Sequence, residues 1–189
     1  MNNKFFESMK QALLLNECDG DQELAYKFSD ADGVRTGRSG YSFGVSQFDI
    51  ENNTDAVVFL IDNGFKAKDI KRLFVQDGNI DDLNYKLDSL FERVDYADNK
   101  HIQESIDHCN IYKDISFTTL AMIVDYHNQL RFDMGGKLYT FLGDKLDRGF
   151  KITPELIRDF KFNETAWGKK RPDDVQRRYD NVIKVFKGE

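Results

Sequence analysis

Between Asp30 and Ile50 the chain runs DADGVRTGRSGYSFGVSQFDI, a stretch unlike anything else in the sequence. It holds four of the 13 glycines, five hydroxyl side chains and three carboxylates. Glycine at that density does not sustain a helix, because each one adds backbone freedom that folding must remove. Tyr41, Phe43, Val45 and Phe48 suit short extended runs instead. The segment is expected to form a small β-hairpin or three-stranded ribbon over residues 30–50.

Outward from this stretch the apolar spacing is helical. Phe5, Met9, Ala12 and Leu13 mark one face of a first helix. Ala56–Ile61 and Ile70–Val75 predict two short helices with Asn63-Gly64 between them. Further helices are expected over Asp81–Val94, His101–Tyr112, Phe117–Leu130 and, after Gly135-Gly136, Leu138–Leu142. The strongly apolar Phe117–Leu130 is expected to be central. Thr153-Pro154-Glu155 supplies an N-cap donor, a proline at the first helical position and an acid in the first turn. Arg171-Pro172-Asp173-Asp174 starts a final helix in the same way, with Val175, Tyr179, Val182 and Phe186 on its apolar side. The expected class is α+β, mostly helical, with one domain over residues 1–189.

Composition narrows the function classes. The hydrophobic share of 40% and aromatic share of 13% fit a globular fold and argue against disorder. A net charge of -6 argues against a nucleic-acid binder held mainly by charge. No apolar run approaches the roughly 20 residues that span a bilayer. The N-terminal stretch MNNKFFESMKQALLLNE lacks a small-residue cleavage site and reads as a first helix, not a classical signal peptide. Cys18 and Cys109 are expected to be buried free thiols. His101, His108 and His127 lack ligand spacing, so surface or capping roles are expected and no metal or cofactor is implied.

The chemistry centres on Glu17. Four residues after Leu13, it prolongs the buried face at the C-terminal end of the first helix. Partial desolvation and the negative end of the helix dipole both favour its protonated form, as a general acid requires. Asp30 and Asp32 follow 13 and 15 positions later, at the mouth of the hairpin, where a second carboxylate would face Glu17. Glycosidic bonds are commonly cleaved by such a pair. Ser39, Ser42 and Ser46 suit a water or sugar hydroxyls, and Gln47 suits an N-acetyl group through its two-sided amide. Arg35 and Arg38 suit anionic substrate groups or a solvated loop.

Leu14-Leu15-Asn16-Glu17, Tyr26-Lys27-Phe28-Ser29-Asp30, Asp32-Gly33 and Tyr41-Ser42-Phe43-Gly44-Val45 follow one another in an order that resembles the active-site region of lysozyme-like glycosidases. The resemblance to phage-type lysozymes (endolysin muramidases) implies that Glu17 is the catalytic acid and that Ser42 stands where the family has threonine. Asp30 or Asp32 would then be the carboxylate that helps activate water. Gly44-Val45-Ser46-Gln47 is similar to a turn of lytic transglycosylases, and Tyr126-His127-Asn128 is loosely similar to another of their motifs. Chitosanases also follow a catalytic glutamate with an Asp-Gly-rich hairpin. Trp167-Gly168 with Arg171, Arg177 and Arg178 is similar to the basic C-terminal helix of phage lysozymes.

The resemblance implies a lysozyme-like fold and a monomeric muramidase acting on the β-1,4 bonds of peptidoglycan glycan strands. Glu17, Asp32, Asp30 and Ser42 would be catalytic, and Gln47, Ser46, Tyr41, Tyr126 and Asn128 would bind substrate. Such an enzyme is made in the bacterial cytoplasm, with a phage or prophage as one expected source, and reaches the wall after delivery. A lytic transglycosylase, a chitosanase and a non-catalytic relative that binds glycan or protein remain the alternatives.

Overall fold

Asn3–Glu17 form α1, and the spacing that predicted it is the spacing that packs it: Phe5, Met9, Ala12, Leu13 and Asn16 are buried. The computed structural model describes residues 3–30, 40–75 and 79–187; Asp32, with Arg35, Arg38 and Ser39, lies outside the described residues. The chain is α+β and mostly helical, with one small antiparallel sheet. It divides into two compact units, Glu17–Lys100 and Met1–Asn16 with His101–Glu189. Among the described residues no helix is long and apolar enough to cross a membrane.

In the unit Glu17–Lys100, the chain leaves α1 through a turn in which Asp19 and Gly20 take φ of 51° and 83°. Asp21 then accepts the backbone N–H of Glu23 and starts a 3₁₀ helix over Gln22–Tyr26. Three short strands follow, β1 (Ser29–Asp30), β2 (Tyr41–Phe43) and β3 (Phe48–Asp49), in the order β1-β2-β3. Ser42 on the middle strand lies opposite Ser29 on one side and Asp49 on the other. The expected ribbon therefore forms, pinned by aromatic residues on its inner side. Phe28 meets Phe43 and Phe65 edge-on, with ring centroids 5.8 and 5.9 Å apart. These rings share one core with Leu60 of α2 (Thr54–Asp62), Leu73 of α3 (Ala67–Phe74) and Leu83 and Leu87 of α4 (Asp81–Asp88).

One boundary differs from the sequence expectation. The predicted helix Asp81–Val94 breaks at Ser89-Leu90, and α5 (Phe91–Cys109) then runs unbroken through the polar residues 95–100. Positions 94, 98, 102, 106 and 109 of α5 are all buried, at helical spacing, but position 98 is an aspartate. A carboxylate in the apolar stripe hides the period of a helix that is physically continuous.

The other unit is built on α6 (Phe117–Leu130), which buries the eight consecutive residues Thr119–Tyr126 and is central as its composition predicted. Around it lie α7 (Lys137–Asp147), α8 (Pro154–Glu164), α9 (Ala166–Lys170) and α10 (Pro172–Val185). Both prolines start helices, and Thr153 caps α8 by accepting from Leu156 N–H. Phe5 packs between Phe117 and Phe186, with centroids 5.3 and 5.4 Å away. At Gly168 a Cβ would lie 1.9 Å from the Lys161 carbonyl oxygen, so α8 and α9 meet where only a hydrogen fits.

This unit also buries charge. The Asp125 carboxylate, 0% exposed, accepts from Lys161 Nζ at 3.1 Å, Arg178 Nη2 at 2.8 Å and Asn16 Nδ2 at 2.8 Å. Burial alone would raise its pKa, but the charges of Arg178 and Lys161 outweigh that and hold it well below the usual carboxylate range. Desolvation lowers the Lys161 pKa, against the pull of Asp125. Arg177 donates to the carbonyls of Leu15 and Asn16, and Asn181 Nδ2 donates to Asn16 Oδ1. Two of the C-terminal carbonyls of α1 that no intrahelical N–H can reach, those of Leu15 and Asn16, are closed in this way.

Candidate active site

Glu17 is the final residue of α1 and is half-buried. Position 16, not 17, completes the fully buried face, because Asn16 packs into the Asp125 cluster. The next residue, Cys18, is buried and free. Burial, and then the charges of Glu17, Asp98 and Asp19, push its thiol up to about 12. Cys18 is thus a neutral packing group and not a nucleophile.

The sheet holds the other predicted residues of this unit. Asp30 and Tyr41 stand opposite each other across β1 and β2. Ser42 is buried at the centre of the sheet, and its carbonyl oxygen accepts from Ser29 Oγ at 3.4 Å. Beyond β2 the chain turns through Gly44-Val45-Ser46-Gln47, with Gly44 at φ 77° and Gln47 at φ 51°. The Gly44 N–H donates to Ala25 O at 2.8 Å, tying the turn to the 3₁₀ segment.

Gln47 draws these parts together. Its Oε1 accepts from Ser29 Oγ at 2.9 Å, and its Nε2 donates to Gly44 O at 3.0 Å and to Cys18 Sγ at 3.8 Å. Both ends of the amide are therefore engaged by the chain itself, and the turn is joined to the residue that follows Glu17. Ser46 is 6% exposed, and its Oγ has no hydrogen-bond partner among the described residues. Ser29, Ser42, Ser46 and Gln47 form a hydroxyl- and amide-rich patch beside the end of α1.

Two carboxylates that sequence reasoning passed over organise this patch. Asp98 of α5 accepts the backbone N–H groups of Val45 and Ser46, both at 2.8 Å. Asp49 accepts from the N–H groups of Gly40 and Glu51 at 3.1 and 2.8 Å and closes the loop after β3. The signal for Asp98 was present in the sequence: it sits four residues after Val94 and four before Ile102, where the apolar stripe required a core residue. Tyr26, at the end of the 3₁₀ segment, donates to Asp95 Oδ1 at 3.0 Å, one turn earlier on α5.

Tyr126 and Asn128 belong to the α6 unit. Tyr126 is 5% exposed and its ring lies edge-on to Phe160, a core contact. Asn128, two residues on, is half-buried. Between them His127 Nδ1 accepts the Phe132 N–H at 3.1 Å, while His108 Nε2 donates to Phe132 O at 2.5 Å. Burial, and then the neighbouring His108, lower the His127 pKa. Trp167 donates to Asp174 at 2.9 Å, and Arg171 lies 5.8 Å from its ring centroid. Among the described residues no three His, Cys, Asp or Glu side chains group as a metal site. Compared with known family models, curated proteins and solved structures, the chain finds no match in any of the three.

Proposed function

We propose that the chain is a peptidoglycan hydrolase, a muramidase that cleaves β-1,4 glycosidic bonds by general acid–base catalysis. The observation that carries the proposal is the bond from Gln47 in the β2–β3 turn to Cys18, directly after the helix-terminal Glu17. A carboxylic acid at the end of α1 thereby adjoins a small sheet that carries Asp30 and several hydroxyls. Glu17 protonates the leaving glycosidic oxygen. Asp30 or Asp32, with Ser42, activates water on the opposite face of the sugar, and the anomeric configuration inverts. With the Gln47 amide already bonded at both ends, substrate amides fall to Ser46 and Tyr41 of the same unit. The protein works as a monomer without cofactor, is made in the bacterial cytoplasm, and meets the wall after delivery.

The test is turnover of purified cell wall by the wild-type protein and by Glu17→Gln. The variant is expected to lose at least about a hundredfold in kcat, the lower range for a general acid. Clearing of wall by Glu17→Gln at the wild-type rate would end the proposal. Mass spectrometry of the products checks the chemistry, since hydrolysis adds water and a transglycosylase leaves 1,6-anhydro ends. Activity on chitosan but not on wall would redirect the assignment to a chitosanase.

A further inference from the structure

We propose that Asp98 is a positioning residue of this site, holding the Gly44–Gln47 turn in the geometry that keeps it against Cys18, the residue after Glu17; the inference rests on the hydrolase proposal above. A carboxylate with 0% exposure on the inner face of α5 is costly unless it is fully bonded. Asp98 meets that cost with two consecutive backbone N–H groups, each at 2.8 Å, from Val45 and Ser46. Successive amides of a turn form a concave anion cradle, and the side chain is the anion that fills this one.

The turn is shaped to receive it. A Cβ on Gly44 would lie 2.9 and 3.0 Å from the two Asp98 oxygens, and the φ of 77° there favours a residue without one. From the clamped turn, Gln47 reaches Ser29 on β1 and Cys18 beside Glu17. Asp95, three positions before Asp98, holds Tyr26 of the segment between Glu17 and β1. One side of α5 therefore grips both stretches of chain that follow Glu17 in sequence. Asp98 acts on Glu17 through the turn, by limiting the positions that Ser46, Gln47 and Cys18 can take.

The experiment compares kcat, KM and Tm of Asp98→Asn with those of Leu87→Ala, which opens the same unit's core at a residue outside the turn. Asparagine keeps the shape but offers one acceptor where the turn needs two. Well below each variant's Tm, Asp98→Asn is expected to lower kcat by at least about tenfold with KM little changed. Leu87→Ala is expected to lower Tm and keep kcat. Wild-type kcat in Asp98→Asn, or a loss that only matches Leu87→Ala, overturns the positioning role.

Should Asp98→Asn not fold, amide exchange in the wild-type protein decides. Val45 and Ser46 must be among its slowly exchanging amides, and exchange at the rate of an open loop overturns the clamp. Glu17→Gln separates the two proposals. If it stays active, the hydrolase assignment fails and takes this role with it; if it is inactive while Asp98→Asn is not, only the positioning role fails.

Discussion

Replacing Asp125 by Asn should be among the most damaging single changes in the α6 unit. The carboxylate is fully buried between Lys161 at 1% exposure and Arg178 at 3%, with charged contacts of 3.1 and 2.8 Å. At about 3 Å and an effective dielectric of about 20, each contact has a gross attraction of roughly 5 kcal/mol. Most of that offsets the desolvation of the ions, and removing one member of such a pair typically costs about 3–5 kcal/mol. Here one anion serves two cations, so its loss removes a charged contact from each. A cost near the upper end is expected, a large part of a usual stability of about 5–15 kcal/mol.

Lys161→Met is the informative partner. It removes the surplus positive charge, while Asp125 keeps Arg178 and Asn16. It should cost no more than about 1.5 kcal/mol, or stabilise. Urea unfolding followed by circular dichroism reads both, since about 4 kcal/mol moves the midpoint by roughly 1–4 M at ordinary m-values. The pH dependence has a definite sign. Because the folded pKa of Asp125 is depressed, its contribution is full above the unfolded value of about 3.9 and is lost as pH falls toward the folded one. An Asp125→Asn protein within about 1 kcal/mol of wild type, or a Lys161→Met protein that loses as much as Asp125→Asn, would refute this account of the cluster.

Two further outcomes follow from local geometry. Protonation of His127 must break its acceptance from Phe132 N–H, and its pKa is already lowered by burial and by His108. Its contribution is therefore complete above about pH 6.5 and declines as pH falls below that value, so the protection factor of the Phe132 amide, relative to its intrinsic exchange rate, should fall selectively in mild acid; unchanged protection at pH 5 would contradict it. Gly168→Ala sets a Cβ 1.9 Å from the Lys161 carbonyl and should cost at least about 2 kcal/mol, in the upper part of the range for overpacking, measured as a drop in Tm; a wild-type Tm would mean that α8 and α9 part easily.

Much of the fold was legible because burial follows period. The faces of α1 and α6, the proline-started helices and the glycine-rich ribbon all declare themselves through local spacing and turn chemistry. What stayed hidden was charge placed where apolar residues were expected. Asp98 broke the stripe of α5, and Lys161 and Arg178 resemble any surface cations until their shared partner on α6 is known. The candidate site divided along the same line. Glu17 at a helix end and the hydroxyls of the ribbon can be read from order and composition. The engagement of Gln47 cannot, because its partners Cys18, Ser29 and Gly44 come from three separate segments.

The closure of α1 by Arg177 and Asn181 has a consequence for how the chain is made. The carbonyls of Leu15 and Asn16 find their partners more than 160 residues downstream. At synthesis rates of about 5–20 residues per second, the ribosome needs on the order of ten seconds or more to deliver α10. Lys100 is made about halfway through that interval, and from then on the stretch Glu17–Lys100 is contiguous and free to gather its own aromatic core, while the helix leading into Glu17 still lacks its terminal partners. The residues of the sheet are thus made before those that close the end of α1.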